Sequence, residues 1–431
     1  MNPPNAFLLT RRRFLTNSSA ALTPLAFPFI LRAGNATDAN NGDTLKIGLI
    51  GCGGRGSGAA EQALTADYNT KLHAVADVFP EKAEATIKML GDHFANRVDV
   101  PKERQFIGLD GYKQLIAACD VVLIATPPGF RPIHLEAAVD AGKHIFCEKP
   151  MAVDATGYRK ALEAVRKSKE KKLNLVAGFC WRRSTSRREA FGKLHAGDIG
   201  DIASIFATYH TGPVKPMPPA SARKPEWSDV EWQVRNWYNF SWLGGDGLVE
   251  QAVHSIDKIC WAMKDANPIS CFATGGRQIP SEGGNIFDHF HVAYEFPNNI
   301  FGHLASRQIP GCYNENADYI RGTKGALTIG RGNAPTIDGE NKWRYRGEEK
   351  NMYQVEHDEF FAAIRKGEVI NDGDWMLHST MVALMGRMAA YTGKKITWEE
   401  AIASDEDLAP DSLAWNDKFE PTPMPRPGKK A

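Results

Sequence analysis

Two stretches of the chain carry side chains that could move a proton at an alcohol. Lys149 follows a short apolar segment, and Glu250 and His254 stand four residues apart within 246–257. On one helix Glu250 and His254 would share a face, so the carboxylate could orient or charge-stabilise the imidazole. An imidazole with a pKa of about 6.5 suits a base for a hydroxyl proton at neutral pH, and an ammonium group can stabilise the charge left on the oxygen. The alternative is a buried helix with a satisfied histidine.

A glycine pattern near the start of the chain could hold the hydride acceptor that such a reaction needs. The apolar run 45–50 leads into Gly51-Cys52-Gly53-Gly54-Arg55-Gly56, a GxGxxG, and then into a helix-like segment. Gly51 would allow a tight turn, Gly53 a close approach of the backbone to a pyrophosphate, and Gly56 close packing of the helix on the strand. In this strand–loop–helix context, the pattern predicts a dinucleotide site in which Gly54 and Arg55 also take part.

The cofactor preference depends on two charged residues. Asp77 ends the predicted strand 72–78, 21 residues after Gly56. A carboxylate there can accept hydrogen bonds from the ribose hydroxyls and repel a 2′-phosphate, which favours NAD over NADP. Arg55 keeps NADP open, because a nearby guanidinium could hold that phosphate. The alternative for Asp77 is an ordinary acid at a strand end.

Two further predicted strands lead to the same place. The strands 121–125 and 143–147 run into Thr126-Pro127 and Glu148-Lys149-Pro150. Doubly wound sheets bind their ligands beyond the carboxyl ends of the parallel strands. We therefore expect Thr126, Pro127, Glu148 and Lys149 to line one crevice with the glycines, in an N-terminal α/β domain of the Rossmann type.

Several segments taken together resemble the Gfo/Idh/MocA oxidoreductases. They are the glycine loop, the turn 125–128, the block 141–150 with its Glu-Lys-Pro end, the segment 178–183, and the later segments 325–327 and 393–398. The resemblance implies a Rossmann domain followed by a C-terminal α/β domain built on an open, mostly antiparallel sheet. It also implies nicotinamide-dependent chemistry on sugars or polyols, and assembly into a homo-oligomer through that sheet.

The resemblance assigns roles to particular residues as well. His254 matches the histidine of the family's Asp-x-x-x-His pattern, and Asp257 matches its later acid. Glu250 stands where the family has the first acid, so its carboxylate is displaced by one methylene and its role is open. Arg182 lies in the segment that resembles the family's arginine-bearing one. We expect Arg182 and Asp257 to contact the substrate.

The segment 214–245 is rich in aromatic residues, prolines and arginines, among them Trp237 and Tyr238. Aromatic faces suit the apolar C–H faces of a sugar ring, so we expect Trp237 and Tyr238 to contact a carbohydrate. The alternative is a long insertion that is packed by its own tryptophans.

Composition and charge argue against several classes of protein. The chain has 52 Lys and Arg against 51 Asp and Glu, so no net field attracts nucleic acid. Its seven cysteines are widely spaced and lack a CxxC, which indicates neither a disulfide framework nor a zinc site. His289, His291 and His303 fall on predicted strands, where a polar sheet face at a subunit contact is favoured over a metal site. We expect no metal.

The 431 residues divide into four predicted segments. Residues 1–36 contain Thr10-Arg11-Arg12-Arg13-Phe14-Leu15 and then an apolar stretch, the order of a twin-arginine export signal. That stretch is short and contains prolines, so we expect no stable membrane span after processing and a periplasmic or otherwise exported protein. Residues 43–165 are the predicted Rossmann domain, 166–420 the substrate-binding and oligomerisation domain, and 421–431 a proline-rich tail.

These observations lead to three functional hypotheses. The first is an NAD(P)-dependent oxidoreductase that acts on a sugar, polyol or sugar derivative and recycles a tightly bound cofactor, because an exported enzyme meets little free NAD. The second is an NAD-dependent glycosidase or lyase that works by transient oxidation and elimination. The third is a non-catalytic sugar or nucleotide sensor, which would have no need for Lys149 and His254.

Overall fold

A computed structural model describes residues 43–330, 333–410 and 413–428. The predicted export signal at 1–36 lies outside the described residues, as do the last three residues of the proline-rich tail. Among the described residues, none of the helices combines the length and the apolar character needed to cross a bilayer.

The first sheet is parallel throughout and has six strands within the described residues, in the order β3-β2-β1-β4-β5-β6. The strands are β1 (Leu45–Ile50), β2 (Thr70–Asp77), β3 (Gln105–Ile107), β4 (Val121–Ile124), β5 (His144–Cys147) and β6 (Leu175–Ala177). The helices of this half are α1 (Gly54–Ala66), α2 (Pro80–Phe94), α3 (Gly111–Ala118), α4 (Arg131–Asp140) and α5 (Ala155–Glu170). The order reverses between β1 and β4, which is where such sheets bind ligands. The predicted Rossmann fold is confirmed.

The sequence signals for these elements are local. β1, β4 and β5 are apolar runs buried on both faces, as parallel strands covered by helices require. Asp154 caps α5, its Oδ1 accepting a hydrogen bond from Gly157 N at 2.7 Å. The sixth strand of the sheet, β6, lies beyond the boundary that we placed at residue 165, because it pairs with β5 after the crossover helix α5.

The second sheet has nine strands within the described residues, in the order β14-β13-β12-β11-β7-β10-β9-β8-β15. They are β7 (Ile202–Thr211), β8 (Ser270–Gly276), β9 (His289–Phe296), β10 (Ile300–Gln308), β11 (Ala317–Gly322), β12 (Gly325–Gly330), β13 (Asn333–Gly339), β14 (Trp343–Arg344) and β15 (Ile396–Thr397). Only β7 and β10 pair in parallel among these strands. The sheet is open and mostly antiparallel, as expected.

The remaining helices pack on the second sheet or against the first half. They are α6 (Thr185–His195), α7 (Asp229–Arg235), α8 (Ser241–Gly244), α9 (Gly247–Glu250), α10 (Val253–Ala262), α11 (Met352–Lys366), α12 (Gly373–Thr392) and α13 (Trp398–Ala403). The long helix α12 packs on the sheet through Met381, Leu384 and Met385, all fully buried with Tyr294 of β9. The methionines of this helix therefore belong to the hydrophobic core.

The C-terminal half also returns to the first sheet. Helix α11 inserts Phe360 and Phe361 into the core formed by Ile47 and Leu49 of β1 and the buried face of α1. The nucleotide-binding half is therefore completed by residues far along the chain. The described part of the proline-rich tail lies against the body, where Thr422 O accepts a hydrogen bond from Asn285 Nδ2 at 2.8 Å.

Candidate active site

A cavity of about 1480 Å³ opens beyond the carboxyl ends of the first sheet. Its lining includes most of the residues predicted from sequence: Gly51, Gly53, Gly54, Arg55, Asp77, Thr126, Pro127, Glu148, Lys149, Trp237, Tyr238, Glu250 and His254. Both halves of the chain contribute, so the cavity joins the glycine loop to the lysine and the histidine. Arg182 and Asp257 do not line it.

The glycine loop leaves room for a dinucleotide where the sequence predicted it. Gly51 has a φ of +93°, a left-handed conformation that favours glycine. A Cβ on Gly56 would overlap the carbonyl oxygen of Gly51, so only glycine lets α1 begin this close to β1. Around Gly53 and Gly54 no atom lies within 4 Å of where a Cβ would stand. This open backbone at the start of a 13-residue helix fits a pyrophosphate.

Asp77 and Arg55 both line this cavity, and each is held by other residues of the protein. The Asp77 carboxylate accepts hydrogen bonds from Cys52 N (2.7 Å) and Phe79 N (2.9 Å), which holds it at the end of β2 beside the loop. Burial raises the pKa of Asp77, and these backbone bonds oppose that shift. Arg55 Nε lies 2.7 Å from Glu148 Oε1, and the guanidinium stacks on Tyr353. Arg55 is thus paired within the protein, and the preference for NAD from Asp77 stays a prediction.

The turn after β4 forms the opposite wall of the crevice. Thr126 Oγ1 lies 3.1 Å from His134 Nδ1. Burial, with Arg131 nearby, lowers the pKa of His134 to about 3, so its ring is neutral. The buried Arg131 guanidinium donates to the carbonyl of Pro150 at 2.7 Å, which ties the start of α4 to the loop that carries Lys149.

Lys149 is held by Glu250, the residue that we expected to pair with His254. Its Nζ donates to Glu250 Oε1 at 3.0 Å and also to the Glu250 carbonyl. Gln251 Nε2 donates to Glu250 Oε2 at 2.5 Å, and Tyr209 Oη donates to Gln251 Oε1 at 2.7 Å. These four side chains form a continuous chain of hydrogen bonds along one side of the cavity.

The predicted pairing of Glu250 with His254 on a single helix is wrong. Helix α9 ends at Glu250, and α10 begins at Val253 after an irregular link. The break turns the Glu250 carboxylate toward Lys149, where a buried cation and a buried anion neutralise each other. Glu250 therefore positions Lys149. No hydrogen bond between Glu250 and His254 is found among the described residues.

His254 stands at the start of α10 with its ring facing the cavity. Only 9% of its surface is exposed, and its Nδ1 is buried without a hydrogen-bond partner among the described residues. Burial, together with Lys149, Lys258 and Arg187, holds the pKa of His254 well below its usual value. A neutral imidazole can accept a proton, which is what a general base requires.

The surroundings of His254 contain residues that the sequence analysis did not identify. The Trp181 ring lies 5.1 Å from the imidazole, and Lys258 Nζ lies 3.9 Å from the Trp181 ring centroid. Lys258 is buried in an ion pair with Asp318 of β11. The sequence held one signal for Lys258, because Lys258 follows His254 by four residues and so lies on the same face of the helix. Asp318 and Trp181 are distant in sequence and gave none.

Arg182 and Asp257 pair with each other rather than facing the cavity. Arg182 Nε donates to both carboxylate oxygens of Asp257, at 2.9 and 3.1 Å, and its other nitrogens donate to Asp265. Asp257 is 1% exposed and also accepts from Ser379. The expected substrate contacts are therefore corrected to an ion pair that joins the segment after β6 to α10.

The aromatic insertion contributes both to a core of its own and to the lining of the cavity. Trp232 and Trp242 pack in a separate hydrophobic cluster with Phe79 and Phe240, so the insertion has its own core. Trp237 and Tyr238 nevertheless line the cavity, and Tyr238 Oη accepts a hydrogen bond from Gln308 Nε2 at 2.5 Å.

No group of three or more histidine, cysteine or acidic side chains within the described residues is arranged to hold a metal ion. His291 and His303 stack on each other at 5.6 Å on the sheet face away from the helices. All seven cysteines are free.

The fold and the site together define an oxidoreductase with an NAD-binding Rossmann domain. Residues 45–176 match the family described as "Oxidoreductase family, NAD-binding Rossmann fold", and residues 188–328 match the "GFO/IDH/MocA C-terminal domain". The chain belongs to the Gfo/Idh/MocA family of oxidoreductases.

Individual relatives agree with this assignment. An inositol 2-dehydrogenase of Rhizobium meliloti is 26% identical over 347 residues, which cover 77% of this chain and 93% of that protein. The fold is similar to that of a levoglucosan dehydrogenase in complex with NADH and levoglucosan, with a TM-score of 0.64 and 20% identity over 82% of this chain and 99% of that one. An aldose–aldose oxidoreductase from Caulobacter crescentus, complexed with glycerol, gives a TM-score of 0.64 and 19% identity over 82% and 99%.

Proposed function

We propose that this protein oxidises or reduces a hydroxyl-bearing carbon of a sugar, polyol or sugar derivative with NAD. The observation that carries the proposal is that Lys149 and His254 face the cavity that also contains the glycine loop. Two relatives are named as dehydrogenases of inositol and levoglucosan, and both names describe polyhydroxylated rings.

The residues of this chain divide the work at the reacting hydroxyl. Bound NAD supplies the acceptor for the hydride. His254, neutral because its pKa is lowered, takes the hydroxyl proton. The Lys149 ammonium donates to the same oxygen and stabilises its developing negative charge. Glu250 holds Lys149 in place, and Gln251 and Tyr209 hold Glu250.

The test is single-turnover reduction of NAD by the purified protein with a panel of sugars and polyols, followed by absorbance at the NADH band. We expect His254→Ala to abolish the reduction while NAD binding stays nearly unchanged, because His254 belongs to the second half of the chain and the glycine loop to the first. Lys149→Met should lower the rate by about 10²–10³, the usual effect of removing one transition-state donor.

A matched control is His93→Ala, which removes an exposed histidine of α2 that does not line the cavity. It should leave the rate unchanged. If His254→Ala reduces NAD at the native rate with any active sugar, the base is another residue and this assignment fails.

We also propose that the protein is exported with its cofactor bound. The support is the order of charge, arginine pair and apolar stretch within residues 1–36. Mass spectrometry of protein purified from the periplasm should find NAD without added cofactor. Replacing Arg11, Arg12 and Arg13 by lysine should leave precursor in the cytoplasm, and efficient export of that variant would contradict the proposal.

A homo-oligomer formed through the second sheet belongs to the same proposal. On the face away from the helices, Phe206 is 40% and Phe272 51% exposed, and Phe206 stacks on Tyr319. Uncovered aromatic residues on a sheet face suit a contact between copies. Light scattering should show an oligomer, and Phe206→Glu with Phe272→Glu should yield the monomer. A native monomer would overturn this part.

The second candidate is cleavage of a glycoside without net oxidation. It is favoured by a further cavity that adjoins the first one and is described below. This reaction would release an aglycone with no accumulation of NADH, whereas simple oxidation would accumulate NADH. Measuring both products with one glycoside separates the two functions.

A further inference from the structure

A second cavity, of about 510 Å³, shares a wall with the catalytic one. Val214, Lys215 and Tyr238 line both cavities. Nothing in the proposed chemistry at Lys149 and His254 uses this second space. Its size lies within the range of sites that bind small organic molecules.

One wall of the second cavity is a rigid stretch of chain. Residues 213–219 contain four prolines, Pro213, Pro216, Pro218 and Pro219, and all of them line the cavity. Proline fixes its φ and has no N–H to donate, so this wall presents an apolar surface with few hydrogen-bond donors and little freedom to collapse.

The facing wall is a turn held in place by buried polar groups. Asp288, 8% exposed, accepts hydrogen bonds from Gln278 N and Ile279 N at 2.8–3.0 Å. Arg277 donates to the carbonyls of Ile279 and Ile286 at 2.9 and 3.0 Å. These contacts fix the shape of the turn 277–288, and Glu282 Oε2 accepts a hydrogen bond from Ala220 N at 2.9 Å, which ties the turn to the end of the proline wall. The space between the two walls is therefore preformed.

Polar atoms gather where the two cavities meet. Tyr238 Oη, bonded to Gln308 Nε2, lies on the shared wall with the Lys215 ammonium, which donates to Arg235 O at 2.6 Å. An ammonium has three donors, so Lys215 retains capacity for a ligand oxygen. The second cavity itself is lined mainly by apolar side chains, including Met217, Ile279 and Ile286.

We propose that the second cavity binds the substituent of a glycoside whose sugar ring occupies the catalytic cavity. The arrangement suits a polar sugar at Lys149 and His254, a bridging oxygen near Lys215 and Tyr238, and an apolar-faced group between the two walls. The inference rests on the proposed function and narrows its substrate from free sugars to glycosides.

The experiment compares parent sugars with their 4-nitrophenyl glycosides in both anomeric forms, by calorimetric titration of the NAD-loaded protein. Glucose, galactose, mannose and N-acetylglucosamine form the panel. We expect at least one aryl glycoside to bind tenfold or more tightly than its parent sugar, a difference of about 1.4 kcal/mol. If no glycoside binds more tightly than its parent, the inference is overturned.

Ile279→Trp fills the second cavity without touching the first one. Ile279 is 41% exposed and lines only the second cavity, so a larger side chain there is compatible with folding, which a melting curve checks. It should remove the tenfold advantage of the glycoside and leave the affinity for the parent sugar unchanged. The control Ile133→Trp makes the same change at a 37% exposed site on α4 that lines neither cavity, and should change neither affinity. Equal loss for sugar and glycoside in Ile279→Trp would overturn the inference.

Single-turnover reduction of NAD with the same ligands separates this inference from the proposed function. A glycoside advantage that Ile279→Trp removes, with neither NADH formed nor 4-nitrophenol released, supports the second site and refutes the redox chemistry. Reduction of NAD by free sugars with no glycoside advantage supports the chemistry and refutes the second site. A panel in which nothing binds refutes both.

Discussion

Replacing glycine by alanine at two positions of the same loop should have two different consequences. One replacement should lower the stability of the fold, and the other should weaken NAD binding. In Gly56→Ala the new methyl group would overlap the Gly51 carbonyl oxygen and lie 3.1 Å from its carbon and 3.3 Å from Ala125 Cβ. The neighbours are backbone and a short side chain, so α1 must move away from β1. In Gly53→Ala the methyl group meets no atom within 4 Å and occupies the space expected for the pyrophosphate.

The expected magnitudes follow from these contacts. Overpacking against backbone costs about 3 kcal/mol, and the better helix propensity of alanine returns about 1 kcal/mol, which leaves Gly56→Ala destabilised by about 2 kcal/mol. For a cooperative unit the size of the nucleotide-binding half, the melting temperature should fall by roughly 4–8 °C. Gly53→Ala should melt within about 1 °C of the native protein when no NAD is present.

Thermal melting with and without NAD is the assay. NAD at a hundred times its dissociation constant stabilises the native protein by about 2.7 kcal/mol, and Gly53→Ala should lose most of that gain. Gly56→Ala should melt early in either condition. The reasoning is refuted if Gly56→Ala melts like the native protein, or if Gly53→Ala keeps the full stabilisation by NAD.

Three other perturbations test the site. Asp77→Ala should weaken NAD binding by about tenfold or more, since a hydrogen bond to a charged group contributes about 1.5–3 kcal/mol. It should also narrow the preference for NAD over NADP. Titrations in which the native protein binds NADP more tightly than NAD would contradict this. Arg182→Ala should lower the melting temperature by leaving Asp257 buried and unpaired but leave KM unchanged, whereas a raised KM with native stability would restore its role as a substrate contact. Because burial lowers the pKa of His254, its neutral form persists in acid, so kcat/KM should stay level down to pH 6.5 and decline only below about that value; a decline that begins above pH 7 would exclude His254 as the base.

The predicted site residues that the structure brings together in the first half are local in the chain. The glycine loop, Asp77 and the turns at Thr126 and Lys149 all follow directly from a buried strand. The carboxyl ends of parallel strands meet at one edge of a sheet, so locating the strands was enough to bring these residues together. The apolar runs located the strands, and the helix signals located the crossovers.

The parts of the site that the sequence did not predict depend on contacts between distant residues. Lys149 and Glu250 are 101 residues apart, and Arg182 and Asp257 are 75 apart. Each charge is buried, and a buried charge needs a partner of opposite sign, but the sequence does not show which of several candidates will be nearest.

By itself, then, the sequence determined the Rossmann half, its dinucleotide loop and the family, because these depend on backbone conformation and on the periodicity of neighbouring residues. The tertiary structure alone decided how the charges are shared. The break between α9 and α10 directs Glu250 to Lys149 and leaves His254 neutral beside Trp181, and the pairing of Arg182 with Asp257 removes both from the cavity. The physical reason is that desolvation penalises every unpaired charge, so the packing of the two halves selects each partner.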